Sequence, residues 1–338
     1  MYRVTTFLVM IVVPFTATSH HSNAEYDFEV IEEFEGQVLE LSWRNPHVRL
    51  SLRSVGSDGS EIIWDLEAQA ANNMARRGLS PDLIEPGDIV RVAGHPSRRR
   101  SSMYLTNVLL QNGTEIKARG DTEPRWSTEY IGFEQPTVAT RPINDEEADG
   151  IFRVWVPAER FRNPNLPLTD TARADKEAWD SVTDDPQIGC QPLGMPGAMF
   201  SPHPIEFIKD GENIILQLEE WESVRTFHMN PYISEQSSPA TRMGFSIAHW
   251  EEETLTVASR LVVTTTNIDY PYMDEHGTPQ SEAVEVVERF SLSLDERTLR
   301  WTAIVTDTGT LTEPFVAYTT RWEWAPGEEI QPYDCAIR

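Results

Sequence analysis

Lysine is almost missing from this 338-residue chain: Lys117, Lys176 and Lys209 are the only three, and basic residues number 28 against 54 acidic ones. The formal net charge of −26 argues against nucleic acid or anionic lipid as a partner of the larger, more acidic half, because like charges repel, and solubility is its plainer reading. The deficit is uneven. Residues 20–118 carry 15 acids and 10 bases, whereas residues 119–338 carry 39 and 17. Cysteine is scarcer still, with Cys190 and Cys335 alone. An isolated pair far apart in sequence reads most simply as one disulfide, with two buried thiols as the alternative. No glycine-rich phosphate loop, dinucleotide fingerprint or internal repeat is present, which weighs against nucleotide chemistry. A Ser-His-Asp order and a metalloprotease helix motif are also absent, so hydrolytic readings have no specific support. Apolar runs are short: the longest, over residues 7–15, cannot span a bilayer, and the mature chain has no transmembrane segment.

That run has the form of a secretory signal peptide over residues 1–19. Arg3 supplies the positive start, and Ala17 and Ser19 are the small residues a signal peptidase needs. The expected location is periplasmic or secreted, which suits a disulfide. Cleavage after Ser19 would place His20 at the new N-terminus, with an amine and an imidazole on one residue.

Hydropathy with 39% apolar residues indicates a globular chain long enough for two domains. Residues 20–118 show short strands separated by turns, with clean alternation at residues 48–53, a turn at Asp58-Gly59 and another at Pro86-Gly87-Asp88. One helix is expected at residues 68–77, ended by Gly78. Five strands and one short helix suggest a small OB-like barrel. Residues 119–149, rich in proline, threonine and acids, read as a linker, with Trp126, Tyr130 and Phe133 packing it against something. A second domain over residues 150–338 is expected to open at Ile151 to Val156, followed by a helical signal at residues 168–180, capped by Thr169 or Asp170. From Ile205 onward nine antiparallel strands are expected, one of them at residues 254–257 behind a turn at Glu251-Glu252-Glu253. The fold class is therefore mainly β: the small OB-like barrel, then a larger antiparallel barrel of the calycin or lipocalin kind, enclosing a cavity.

Two places hold side chains suited to chemistry. His20, His21 and His47 lie early in the mature chain, and two imidazoles with a terminal amine make a three-nitrogen set suited to copper or zinc. The plainer alternative is a solvated terminus with His47 as a turn residue. In the second domain Glu220, Arg225, Ser246, Trp250, Glu288 and Arg289 are the candidate lining of a barrel interior that binds a polar or carboxylated small molecule. Glu220 and Arg225 fall on opposite faces if their strand is continuous. An inward Glu288 needs a cationic partner, Arg225 or Arg289. A buried salt-bridge network that fixes strand register is the competing reading.

The first half carries His20-His21-Ser22, Gly36-Gln37-Val38, Trp43-Arg44-Asn45-Pro46-His47, the Pro86-Gly87-Asp88 turn and Asn112-Gly113. The second half carries Pro167-Leu168-Thr169, Asp185-Pro186 through Cys190, Pro192, Gly194 and Pro196, the Glu220 to Arg225 spacing, and Gly244 to Leu255. In these motifs the sequence resembles a secreted bacterial family without an assigned activity. The chain departs from the family pattern at Glu252-Glu253, where Gly-Asp is usual. The resemblance implies no chemistry. The leading expectation is an exported small-molecule-binding protein with an N-terminal metal site. The rivals are a cofactor-independent lyase, isomerase or hydratase using Glu220 or Glu288 as base, and an acidic scaffold that docks a protein partner.

Overall fold

The computed structural model describes residues 25–133, 149–181, 183–233, 238–251 and 257–335. The expected signal peptide, His20 and His21 lie outside the described residues, as do 134–148 of the expected linker and 252–256 of the expected turn and strand.

The first barrel is built from β1 (Glu32–Ser42), β2 (Arg49–Val55), β3 (Glu61–Glu67), β4 (Ile89–Pro96) and β5 (Ser102–Leu109). Alternation makes the core: Leu50, Leu52 and Ser54 of β2 are buried while Arg49, Ser51 and Arg53 are not. Around the ring the order is β1, β2, β3, β5, β4, and β3 runs parallel to β5 through Asp65 opposite Ser102 and Glu67 opposite Tyr104. Between β3 and β4 stands α1 (Ala71–Arg76), the one α-helix among the described residues of this half, which buries Met74 and gives way to Gly78 at φ 78°. A small five-stranded barrel with one short helix is what the sequence suggests.

Residues 119–133 follow the surface of this barrel. β6 (Glu115–Lys117) pairs with β5, and β7 (Tyr130–Ile131) pairs with β6. Between them the fully buried carboxylate of Glu115 accepts the backbone N–H groups of Arg125, Trp126 and Ser127 at 2.7, 2.8 and 2.9 Å. Asn107 Nδ2 donates to the same carboxylate at 2.7 Å. Burial alone would raise the Glu115 pKa, but these donors outweigh it and hold the group below its ordinary value.

The second barrel closes in chain order through β8 (Val154–Arg162), β9 (Ile205–Asp210), β10 (Asn213–Leu218), β11 (Ser223–His228), β12 (Phe245–Glu251), β13 (Ser259–Thr266), β14 (Glu285–Leu292), β15 (Thr298–Thr306) and β16 (Phe315–Trp324). Helix α2 (Asp170–Ala178) separates β8 from β9, and Thr169 Oγ1 caps it by accepting from the Ala172 N–H at 3.3 Å. The sequence places nine strands from Ile205 onward; among the described residues eight of the barrel's strands lie there and the ninth is β8, upstream of Ile205. The expectation of wholly antiparallel pairing is corrected: β11 and β12 run parallel, Phe227 opposite Ser246 and His228 opposite Ile247. Strand direction cannot alternate all the way round an odd ring. The five-stranded barrel meets the same constraint with its β3–β5 pair.

Trp155, Phe207, Phe227, Phe290, Trp301 and Trp322, all less than 2% exposed, fill the large barrel where a cavity was expected. After β16 the chain runs back to the small barrel as a strap. There Asn45 N–H donates to the Asp334 carbonyl at 3.1 Å, and Asn72 Nδ2 donates to the Pro332 carbonyl at 3.1 Å. The expected disulfide, Cys190–Cys335, ties the strap's end to the segment before β9.

Candidate functional site

The expected lining of the large barrel divides. Arg225, Ser246 and Glu288 meet in its interior, where Arg225 Nη1 donates to Glu288 Oε1 at 2.9 Å and Nη2 donates to Oε2. The neighbours that complete this network are Thr265, which accepts from Arg225 Nη2 at 2.9 Å, and Trp301, whose Nε1 donates to Glu288 Oε1 at 3.0 Å. Ser246 Oγ lies 3.3 Å from Arg225 Nη2 and 2.9 Å from Thr265 Oγ1. Both charges are wholly buried, and each Glu288 oxygen already accepts donors from the protein. Only Arg225 Nε is left without an acceptor.

The other three expected residues stand apart. Glu220 sits in the turn between β10 and β11, where Trp221 and Glu222 take left-handed φ values of 59° and 48°. Period-two alternation stops there, so Glu220 and Arg225 do not share a continuous strand. Trp250 is at the end of β12, 41% exposed, with its ring 6.5 Å from that of Phe152. Arg289 lies between the buried Glu288 and Phe290 and so faces the outside of the barrel.

Of the expected metal ligands only His47 is described. Its Nδ1 lies 3.1 Å from the Ala68 carbonyl, to which a ring N–H donates, and 3.6 Å from Glu67 Oε1. Nε2 is then the nitrogen left with a lone pair. No group of three or more His, Cys, Asp or Glu side chains able to hold a metal occurs among the described residues.

A cavity of about 600 Å³ opens on the outer face of the small barrel. Its walls come from β1, β4 and β5 and from residues 122–126 of the segment that Glu115 holds down. Asn107 is a buried member of this lining, and the small Ala93 that pairs with it on β4, between Arg91 and His95, is buried too. At its centre Glu33 accepts from Arg91 Nη2 at 2.8 Å, Arg125 Nη2 at 2.6 Å and Trp126 Nε1 at 3.1 Å. The hydrogen bond from Arg125, reinforced by those from Trp126 and Arg91, keeps the Glu33 carboxyl below its ordinary pKa. Arg91 lies over the Trp126 ring at 5.2 Å and Arg125 at 5.9 Å. His95 completes the wall, its Nδ1–H donating to the Val30 carbonyl at 2.8 Å.

One aromatic side chain, one carboxylate and two guanidiniums thus converge on a hollow whose size suits a small molecule. Trp126 is legible in the sequence as a residue that packs against something; Glu33 and Arg91 are not, because their meeting with Trp126 depends on where an irregular segment lies. No curated protein matches the sequence. Residues 9–105, which include β1 to β4 and the start of β5, match the model of a family of unknown function, DUF6152.

Proposed function

We propose that the protein is an exported small-molecule-binding protein that holds its ligand in the groove of the small barrel. The observation that carries this reading is the 600 Å³ hollow with Trp126, Glu33, Arg91 and Arg125 fixed in mutual contact before any ligand arrives. Pre-set polar groups around an aromatic surface lower the ordering cost of binding. The large barrel, filled by aromatic rings and the Arg225–Glu288 ion pair, serves in this reading as the rigid body to which the binding module is attached. Export rests on the signal-like residues 1–19 and on the disulfide.

The test is mass spectrometry of small molecules retained by the native protein after export and processing in a bacterial host. A retained species that is lost in Trp126→Ala/Arg125→Ala and kept in Glu220→Ala supports the groove. Retention of the same species by the groove variant, or empty spectra for all three proteins, overturns it.

The orientation of His47 favours a second reading, a copper or zinc site shared with His20 and His21. A ligating histidine usually donates its other ring N–H to a carbonyl or carboxylate, as His47 does to Ala68. Metal analysis of the processed protein tests it: copper or zinc at one per chain, lost in both His20→Ala and His47→Ala, is the supporting result. Metal-free protein after loading with either ion overturns it.

A further inference from the structure

Away from the groove, at one end of the large barrel, Arg160 and Arg162 occupy alternate positions of β8 and so project on the same side of the strand. Both guanidiniums lie against one ring, that of Phe200, at 5.0 and 5.4 Å from its centroid. Phe200 is itself held by the buried Tyr318, whose ring is 5.2 Å away. Two cations brought onto the same ring repel each other, and their counter-charges do not match them in number.

Arg162 has one carboxylate, Glu275, at 3.0 Å, and its Nη2 donates to His276 Nε2 at 2.6 Å. A histidine nitrogen that accepts a proton donor is not itself protonated, and burial lowers the His276 pKa in the same sense. His276 therefore adds no positive charge and supplies no negative one. The adjacent Asp274 is engaged elsewhere: it accepts from the His276 and Thr278 N–H groups and from Thr278 Oγ1, and lies 3.8 Å from Lys176 Nζ. Arg160 donates Nη1 to the Phe200 carbonyl at 2.8 Å, and no carboxylate oxygen lies within 4 Å of it among the described residues. Glu220 and Glu275 reach it only at longer range. Arg162 Nη1, though close to Glu275, is buried without an aligned acceptor.

We infer that Arg160 and Arg162, set on Phe200 at the end of the large barrel, form a site for an oxyanion: inorganic phosphate or the phosphate or carboxylate head of a small molecule. Guanidiniums are suited to this because their N–H groups form a planar fork that matches two oxygens at once. The scaffold is fixed in advance. Asp274 pins the turn that carries His276, and Gly277 packs so tightly that any Cβ there would fall 2.2 Å from the Trp179 ring. Arg160 is exposed on its strand, so solvent reaches the cluster on that side.

Isothermal titration of the full processed chain with inorganic phosphate, and separately with acetate, tests the site. The expected result is saturable binding of one oxyanion per chain, weakened about tenfold in Arg160→Gln, the effect of losing one charge-assisted hydrogen bond. Arg160→Lys, which keeps the charge and loses the fork, should bind between the two. Arg53→Gln, which removes an equal charge from the small barrel, and Arg125→Gln, which alters the groove, should bind as the parent does. Saturable phosphate binding and no acetate binding assigns a phosphate head, and the reverse assigns a carboxylate. No saturable binding of either anion, or binding lost equally in Arg53→Gln or Arg125→Gln, overturns the proposal. Those outcomes leave the groove reading to its own mass-spectrometric test.

Discussion

Arg76 of the small barrel and Glu219 of the large one form a two-pronged ion pair across the domain boundary, Nη1 donating to Oε1 at 2.7 Å and Nη2 to Oε2. Glu219 is wholly buried and also faces His203 Nδ1 at 3.1 Å, Asn72 Nδ2 at 3.1 Å and the Gln331 N–H at 2.9 Å. α1, the segment before β9 and the C-terminal strap therefore share one carboxylate. Arg76→Ala should leave that charge buried with too few partners and destabilise the chain by about 3–5 kcal/mol. Denaturant unfolding measures this. A loss below 1 kcal/mol would mean that the domains are held by other contacts.

The same carboxylate makes a pH prediction. Burial would raise the Glu219 pKa, but His203 and Arg76 outweigh it and bring it down to about 2 from an ordinary 4.5. A group with a lowered folded pKa stabilises the native state fully above the unfolded value, and the contribution disappears as pH falls through the folded one. The parent protein should therefore lose stability between about pH 4.5 and pH 2 more steeply than Glu219→Gln. Melting temperatures of the two proteins across that range decide the matter, and parallel curves would count against it.

The disulfide closes a loop of 145 residues, for which chain-entropy reasoning gives about 5 kcal/mol. Cys335→Ser should fall short of that figure, because the strap retains its bonds to Asn45, Asn72 and Glu219. The local effect is more specific. Amide exchange should accelerate at Asn45, whose N–H donates to Asp334, while the β14 and β15 amides keep their protection. Uniform acceleration through the large barrel would show that the bond supports the whole domain and not the strap.

Legibility in the sequence followed the distance between the residues involved. Leu50 and Leu52 declared a strand by alternation, Gly78 declared the end of α1, and Thr169 declared the start of α2, since each signal is local. Cys190 and Cys335 were legible at long range only because no other cysteine competes. Thr265 and Trp301 were not legible as partners of Arg225 and Glu288. Their meeting needs the register of β11 to β15, and no local pattern encodes which strand a ring closes on. Glu220 was misread for a different reason: the left-handed Trp221 and Glu222 break the strand, and the adjacent Glu219 is the acid that turns inward.

Arg225 and Glu288 provide a test of what the large barrel's interior is for. Truncating one member of a buried pair leaves the other unpaired, so Arg225→Met and Glu288→Gln should each cost about 3–5 kcal/mol. The double variant should cost less than the sum of the two, because neither charge remains and Gln keeps an oxygen for Trp301 Nε1. Additive losses would show that the pair is not the source of the cost. If the pair is structural, small molecules retained by the parent should also be retained by the folded double variant; their loss would return the ligand site to the barrel.

Glu115 links stability to the groove. Its carboxylate accepts three consecutive backbone N–H groups, and those residues carry Arg125 and Trp126 into the groove wall. Glu115→Gln replaces one accepting oxygen by a donor that faces those N–H groups, and should cost about 1–3 kcal/mol. The fold of the five strands should survive, since β1 to β5 close without this segment. Groove function should not: with Trp126 released, Glu33 loses both the indole N–H and the Arg125 hydrogen bond that hold it. Because the Glu115 pKa is held below its ordinary 4.5, the same loosening should appear in the parent as pH falls below that value, and should be missing from the pH response of Glu115→Gln. Amide exchange at residues 125–127, followed from pH 6 to pH 3 with intrinsic rates corrected for pH, reads this directly; protection that persists at the acid end would show that the segment is held by its own packing.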